Sequence, residues 1–531
     1  MKKIGIALLA AQWALTVQAQ PATADKATEY AQMITAEDLL KHLRILASDS
    51  LEGRNTGEIG QKMAADYIAH EFFDYGLTPL IARENGAASY YQSFELVRER
   101  LDSAILEVNG KEVRFSDDFL FFSRGTVNET LNAPVVFAGY GLEEANYSDY
   151  ARVDVKDKIA LVFLGEPRDQ RGNSLVTGKR SEYTHNRSAT LLKKEALARQ
   201  KGAKRVFFVD ELGAYFGGQR LSYVNFIKGD RIGFENTTGG PTAPNVILSV
   251  PAAAAFLGVS AAKLRKQAAR LGKKRKSRVK ERAQAAVRLA IVRNITRVET
   301  ENVLGFVEGS DKKDEVLVVT AHYDHLGKQG NVVYNGANDD GSGTVAVLEL
   351  AQAFARAKGE GNGPRRSILF MTVTGEEKGL LGSEYYTAHP VLPLEKTIAN
   401  LNIDMIGRID SAHRENPDYI YVIGSDKLSS ELHQISEEAN RKYVQLNLDY
   451  RYNDPGDPNR FYYRSDHYNF AKYRIPVAFY FNGVHEDYHQ PTDDVEKMDF
   501  GKAEKITRLV FYTAWELANR EGRIKVDSAK P

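Results

Sequence analysis

At 531 residues, with 43% hydrophobic and 27% charged side chains, the chain lies in the ordinary globular range and is long enough for two or more domains. Its 71 basic and 70 acidic residues leave a formal charge of +1, so no global field favours nucleic acid or an anionic surface as partner. The lack of cysteine excludes disulfides, thiolate zinc sites and thiol nucleophiles, which leaves His, Asp and Glu as metal ligands.

The first residues read as an export signal: Lys2 and Lys3, an apolar run over 4–17, and the small-residue pattern Val17-Gln18-Ala19. Cleavage is expected near Ala19, with the mature protein periplasmic or secreted. The run is shorter than the ~20 residues a membrane span requires, no later stretch is long and apolar enough, and stable membrane insertion is not expected. Next, Thr35-Ala36-Glu37-Asp38 fits a helix N-cap followed by Leu39, Leu40, Leu43 and Leu46 at helical spacing. The stretch LEGRNTG over 51–57 is a glycine-punctuated loop, and 61–75 is a second amphipathic helix. Its His70 has no other metal ligand at helical spacing and reads as a surface or packing residue.

From about Ala133 the texture changes to short strands at 134–138 and 158–163, a helix over 193–202 and a strand over 205–210. No run of His, Asp and Glu at ligand spacing occurs there, so this small αβ module is expected to be structural or substrate-shaping. It closes through 245–251 and a helix-compatible stretch, 263–288, that contains the basic run KKRKSR over 273–278. Without interleaved aromatics, and with Glu281 following, the run reads as a solvated helix and loop.

From 287 onward the pattern is that of a larger α/β sheet, with strands at 302–306, 316–320, 367–373, 398–403, 419–423 and 476–481. The last helix, 505–518, carries Ile506, Val510, Phe511 and Trp515 on one side. Polar chemistry concentrates at 321–343, AHYDHLGKQGNVVYNGANDDGSG, between a strand and a helix-like run over 344–355. Four strand ends deliver acidic or imidazole groups: His322 and Asp324 with Asp339 and Asp340, then Glu376 and Glu377, then Asp404, then Tyr488 and His489. In a parallel sheet such ends share one edge, where a ligand site belongs. Two imidazoles and three carboxylates suit a pair of divalent ions bridged by one carboxylate, and an unligated glutamate beside them can take a proton from water.

The motifs AHYDHLG, NGANDDGSG, TGEEKGLLGS, NIDMIGR and DYHQPTDDV resemble those of the exported di-zinc aminopeptidases related to bacterial leucyl aminopeptidase and glutamate carboxypeptidase II. The segment VVFAGYGLEEANYSDYARVDVKDKIALVFLGEP resembles the opening of the protease-associated domain that many members carry as an insert. The resemblance implies an α/β fold, a mixed, mostly parallel central sheet flanked by helices (the zinc-exopeptidase, phosphorylase/hydrolase-like fold) with a small inserted α/β domain. The implied partition is a signal peptide over 1–19, the N-terminal part of the peptidase domain over 20–127, the protease-associated insert over 128–285 and the zinc peptidase domain over 286–531.

Carried over residue by residue, the resemblance implies two zinc ions per chain: His322, Asp339 and Asp404 on one, and Asp339, Glu377 and His489 on the other. Glu376 is then the general base, Asp324 orients the His322 imidazole, and Tyr488 stabilises the oxyanion. The peptide bond between Asp339 and Asp340 is expected to be cis, with Asp340 either a turn residue or catalytic. His325 and His485 are expected to face solvent or to lie behind the ligands. Asp466 and His467 are candidates for the vicinity of the site, and Arg408 for gripping a substrate carboxylate or for packing. The implied function is a zinc exopeptidase acting on peptides, foremost an aminopeptidase that removes N-terminal residues. The alternatives on the same fold are a carboxypeptidase or dipeptidase, or a glutaminyl cyclase with one zinc; further off is a non-catalytic receptor-like protein.

Overall fold

The structure, a computed structural model, describes residues 25–83, 86–123, 126–144, 147–169, 171–179, 187–235, 245–271 and 281–528. The expected export signal and the basic run over 273–278 therefore lie outside the described residues. Two compact units emerge, one combining Met1–Phe94 with Glu299–Pro531 and the other comprising Glu95–Val298. The second unit is wider than the 128–285 expected for an insert. Strands at Lys111–Val113 and Phe119–Phe122, and the first part of the strand Arg282–Val307, take part in its pairing.

In the first unit, helices α1 (Ala36–Leu46) and α2 (Ile59–Asp74) precede strand β1 (Lys312–His322), helix α3 (Ser342–Gly359) and strands β2 (Arg366–Val373), β3 (Thr397–Ile403), β4 (Tyr419–Ile423) and β5 (Val477–Phe481), with helix α4 (Phe500–Asn519) last. The sheet order is Asn447–Asp449, β4, β5, β3, β1, β2 and then 303–307. The four middle strands β5, β3, β1 and β2 run parallel, while β4 and 303–307 pair antiparallel at the two sides. This is a mixed, mostly parallel sheet.

The cause is visible in the strand sequences. Residues 316–320, 366–373 and 397–403 are buried at every position, because helices or loops cover both faces. Side chains alternate between the faces: Leu317, Val319 and Ala321 join the core beneath α1, α2, α3 and α4, whereas Val316 and Val318 join Tyr386 and Phe470 on the other side. Each of these valine and leucine side chains contributes about 1.5–3 kcal/mol through burial. The Thr35 hydroxyl caps α1 by accepting the Asp38 N–H at 3.1 Å. Ile506, Val510 and Phe511 of α4 are buried, and Trp515 stacks between Tyr30 and Phe354 at 5.8 Å from each.

In the second unit the strand order is 282–291, Val127–Phe137, Ile159–Phe163, Arg205–Val209, Asn245–Leu248 and Phe119–Phe122, parallel in the middle and antiparallel at both ends. Of the helix-compatible stretch 263–288, the described residues up to the end of Ala261–Leu271 are helical, whereas from Arg282 the chain is a strand. Ala285, Val287 and Leu289 are buried and alternate with the exposed Gln284, Ala286 and Arg288, so a period of two overrides the helical composition. Among the described residues no helix is long and apolar enough to cross a membrane.

Candidate metal centre

Because β5, β3, β1 and β2 are adjacent and parallel, their C-terminal ends deliver His489, Asp404, His322 and the pair Glu376 and Glu377 to one edge. The turn before α3 adds Asp339, and its peptide bond to Asp340 is cis. Gly336 makes that turn possible at φ +56°, since a Cβ there would lie 2.5 Å from the His325 ring. Gly343 lets α3 approach β3, as its Cβ would meet the Ile403 carbonyl at 2.3 Å.

The side chains converge in two groups that share Asp339. On one side His322 Nε2 lies 3.3 Å from Asp339 Oδ1 and 3.7 Å from Asp404 Oδ1. On the other His489 Nε2 lies 3.1 Å from Asp339 Oδ2 and 3.3 Å from Glu377 Oε2. Two ligands each about 2.0–2.1 Å from a tetrahedral zinc ion stand about 3.4 Å apart, so this spacing fits. His325 is the addition that the sequence reasoning missed. It is buried, not solvent-facing, with Nδ1 2.9 Å from Glu377 Oε1, and it forms a possible ligand group with Asp339 and Glu377. Asp339 Oδ2, Glu377 Oε1 and both ring nitrogens of His325 are buried without a hydrogen-bond partner. Orphaned atoms of this kind, clustered with carboxylates, fit a cation better than they fit one another.

Electrostatics carry the same demand. Burial opposes charge on Asp339, yet His322 and His489 hold its carboxyl well below the usual range. Burial also opposes charge on His489, but Asp339 and Glu377 push its imidazole up to about 10. Around His322, burial is outweighed by Glu376, Asp404, Asp324 and Asp339, which raise its pKa well above the ordinary value. The carboxylates thus recruit positive charge from whatever is available. Burial pushes Glu376 in the opposite direction from Asp339, well above the ordinary range.

Supporting groups set these side chains. The His322 Nδ1 contact is with the backbone carbonyl of Asp324 at 3.0 Å, while the Asp324 carboxylate is 3.7 Å away. That carboxylate instead accepts the Glu376 N–H at 3.1 Å and the Thr56 hydroxyl at 2.8 Å. Asp324 therefore orients the imidazole through its main chain and the Glu376 turn through its side chain. Asp340 accepts N–H groups from His322, Gly343 and Met405 at 3.2, 2.8 and 3.0 Å, tying β1, α3 and the end of β3 together. Asp493 accepts the N–H groups of Asn338 and Asp339, both at 3.1 Å, and Ser465 donates to Asp404 Oδ2 at 2.6 Å. Neither was singled out from the sequence, although Asp493 stands inside the DYHQPTDDV motif.

Other expectations resolve by position. His485 is buried against Asn338 at 3.0 Å. Arg408 donates to Asp487 at 2.7 Å and lines a separate cavity with His485 and Lys497, so it packs and does not face the cluster. His70 is exposed beside Asp74. Asp466 is buried and accepts the Ser383 hydroxyl at 2.5 Å.

The cluster opens into a cavity lined by the polar His322, Asp339, Glu376 and Asp404, by the apolar Met405, Phe461, Phe479, Phe481 and Val484, and by Tyr488 and Arg464. Burial raises the Tyr488 phenol above its ordinary pKa, so it remains a hydrogen-bond donor. His467 stacks on Phe479 at 4.6 Å, fully buried, and burial lowers its pKa to about 3. Its unfolded counterpart titrates near 6.5, so between those values the unfolded chain binds more protons and stability falls as pH falls. Urea unfolding across that window should show His467→Phe losing a few kcal/mol less than the parent, at about 1.4 kcal/mol per pKa unit. Parallel pH profiles would contradict it.

Comparison with known proteins places this centre in context. Residues 302–514 match the model of Peptidase family M28. Aminopeptidase YwaD of Bacillus subtilis is 28% identical over 254 residues, 46% of this chain and 50% of that protein. A probable leucine aminopeptidase of Arthroderma otae is 29% identical over 214 residues, 39% and 55% respectively. Leupeptin-inactivating enzyme 1 of Streptomyces exfoliatus is 31% identical over 219 residues, 41% and 43%. The chain spans about half the length of these curated relatives. Among solved structures, an aminopeptidase from Aneurinibacillus sp. strain AM-1 superposes with a TM-score of 0.54 over 94% of this chain and 98% of that one, at 19% identity, a likeness of fold.

Proposed function

We propose that this chain, as its match to Peptidase family M28 implies, is a zinc-dependent exopeptidase that removes N-terminal residues from peptides. The observation that carries the reading is the pair of ligand groups sharing Asp339 at the edge of the parallel strands. His322, Asp339 and Asp404 would hold one zinc, and Asp339, Glu377 and His489 the other. Bound there, zinc would polarise the scissile carbonyl as a Lewis acid and make water in the cavity more acidic.

The chain's own groups supply the rest. Glu376 faces the cavity with its proton affinity raised by burial, which suits a base that takes a proton from water and returns it to the leaving amine. Tyr488, protonated and lining the same cavity, can donate to the oxygen on which charge develops. Phe461, Phe479, Phe481 and Val484 offer an apolar surface to the substrate side chain. Leucyl and phenylalanyl nitroanilides are therefore expected to show about 10- to 100-fold higher kcat/KM than the alanyl compound. A flat series would remove that wall from the specificity argument. Export after cleavage near Ala19, and a protease-associated character for the second unit, belong to the same proposal.

One observation favours a second reading, a carboxypeptidase or dipeptidase. Arg464 faces the cavity 3.4 Å from the Tyr488 hydroxyl, and among the described residues no carboxylate lies within ion-pair distance of it. Its guanidinium could receive a substrate carboxylate. A peptide-library digest with added zinc, read by mass spectrometry, decides: shortening from the N-terminus is expected, shortening from the other end would select the second reading, and no shortening by zinc-loaded protein would overturn both. Metal analysis separates either from a one-zinc cyclase.

A further inference from the structure

The loop that links His322 to Asp339 is tied at both ends by a buried side chain that lies far from it in the sequence. Arg54 is 1% exposed. Its Nε donates to the Tyr323 carbonyl at 2.7 Å, Nη1 to those of Leu46 and Asn335 at 2.5 and 2.7 Å, and Nη2 to that of Gly336 at 2.9 Å. Tyr323 follows His322 directly, and Asn335 and Gly336 lead into the turn that ends at Asp339. One planar guanidinium thus joins the entry and exit of the loop.

Neighbouring residues complete the cradle. The Arg54 carbonyl accepts the His325 N–H at 3.2 Å, and Thr56 donates to Asp324 at 2.8 Å. Gly53 sits at φ +68° with no room for a side chain, since a Cβ would lie 2.4 Å from the Tyr334 carbonyl. Arg54 itself adopts φ +51°, an unusual conformation for a non-glycine residue that its hydrogen bonds hold in place.

We propose that Arg54 is a positioning residue for the metal centre: by binding both ends of the 323–336 loop to one fork, it fixes His322, Asp324 and Asp339 relative to each other. The buried cation also faces the carboxylate-rich side of the loop, where Asp324, Asp339, Asp340 and Asp493 interact with it electrostatically. Lysine cannot substitute, because its ammonium presents a point charge with three donors where four planar contacts are in use.

The proposal rests on the zinc reading for its functional consequence, and the test separates the two. In full-length metal-free protein, amide exchange at 324–337 should be slow in the parent and markedly faster in Arg54→Lys and Arg54→Ala. Zinc affinity by chelator competition should fall about 10- to 100-fold, as for other residues that orient ligands. Peptidase kcat should drop with KM little changed, and guanidinium below denaturing concentrations should restore zinc affinity to the Ala variant. A purely architectural role would lower the melting temperature without changing zinc affinity or responding to guanidinium. Folded variants with parental exchange and zinc affinity would overturn the proposal. Should the variants not fold, rapid exchange of the same amides in the metal-free parent would overturn it, and slow exchange would support it. Parental protein that binds no zinc would instead refute the function, leaving the exchange result to judge Arg54.

Discussion

Replacing Glu376 by Gln should leave the zinc content of the protein unchanged while nitroanilide hydrolysis falls by about 10²- to 10⁴-fold, the usual contribution of a general base. The substitution is nearly isosteric, and the hydrogen bond from the residue 376 N–H to Asp324 at 3.1 Å is a main-chain contact that survives it. Only the ability to hold and return a proton is lost. Glu376 Oε2 lies 3.9 Å from His322 Nε2, inside the cavity but outside the two ligand groups, so the metal should be indifferent to the change. Activity within a few fold of the parent would remove Glu376 from the mechanism. Loss of zinc would recast it as a ligand.

Asp339→Asn should have the larger effect on metal. Its two carboxylate oxygens face opposite partners, Oδ1 towards His322 at 3.3 Å and Oδ2 towards His489 at 3.1 Å. An amide offers one acceptor and turns the other position into a donor, so both groups lose a ligand or meet a misplaced N–H. The expected outcome is zinc well below one equivalent per chain by metal analysis. Activity should fall at least about a thousandfold, because a Lewis-acid ion supplies several kcal/mol and each 1.4 kcal/mol is tenfold. Full retention of both ions would show that Asp339 is not the shared ligand. Replacing His489 by Ala, by contrast, should weaken one site and leave the His322 group intact.

The parallel core was readable because each central strand is buried on both faces and so reads as a continuous apolar run, as in VLVVT before His322 and SILFMTV before Glu376. His322 and Asp404 were readable because each stands at the end of such a run, and Asp339, Glu377 and His489 because they lie in the loops that leave the same strand ends. What escaped the sequence depended on contacts without a side-chain pattern. Arg54 binds carbonyls of residues 269 to 282 positions away, and a carbonyl acceptor has no identity in the sequence. His325 looked surplus because five ligands already sufficed, and only its burial against Glu377 brings it into the centre. The strand from Arg282 was obscured by basic residues on its polar positions, which helices also favour, and the alternation of Ala285, Val287 and Leu289 decides it.

The first unit takes its α1 and α2 from one end of the chain and its sheet from the other. For that unit, everything from Glu95 to Val298 is a single closed loop of roughly two hundred residues, and closure entropy rises only by about 0.6 kcal/mol per doubling of length. Insertions or deletions there are therefore cheap for the metal centre in chain entropy. A backbone cut within the loop would leave two fragments that still share bonds such as Arg508 to the Ala31 and Ile34 carbonyls, at 3.1 Å or less, and Tyr30 to Glu360 at 2.9 Å. The metal-binding sheet and the Arg54 clamp would then behave as a complementing pair, and the segment 302–514 alone, lacking Arg54, would hold every proposed zinc ligand without the clamp that joins the ends of their loop.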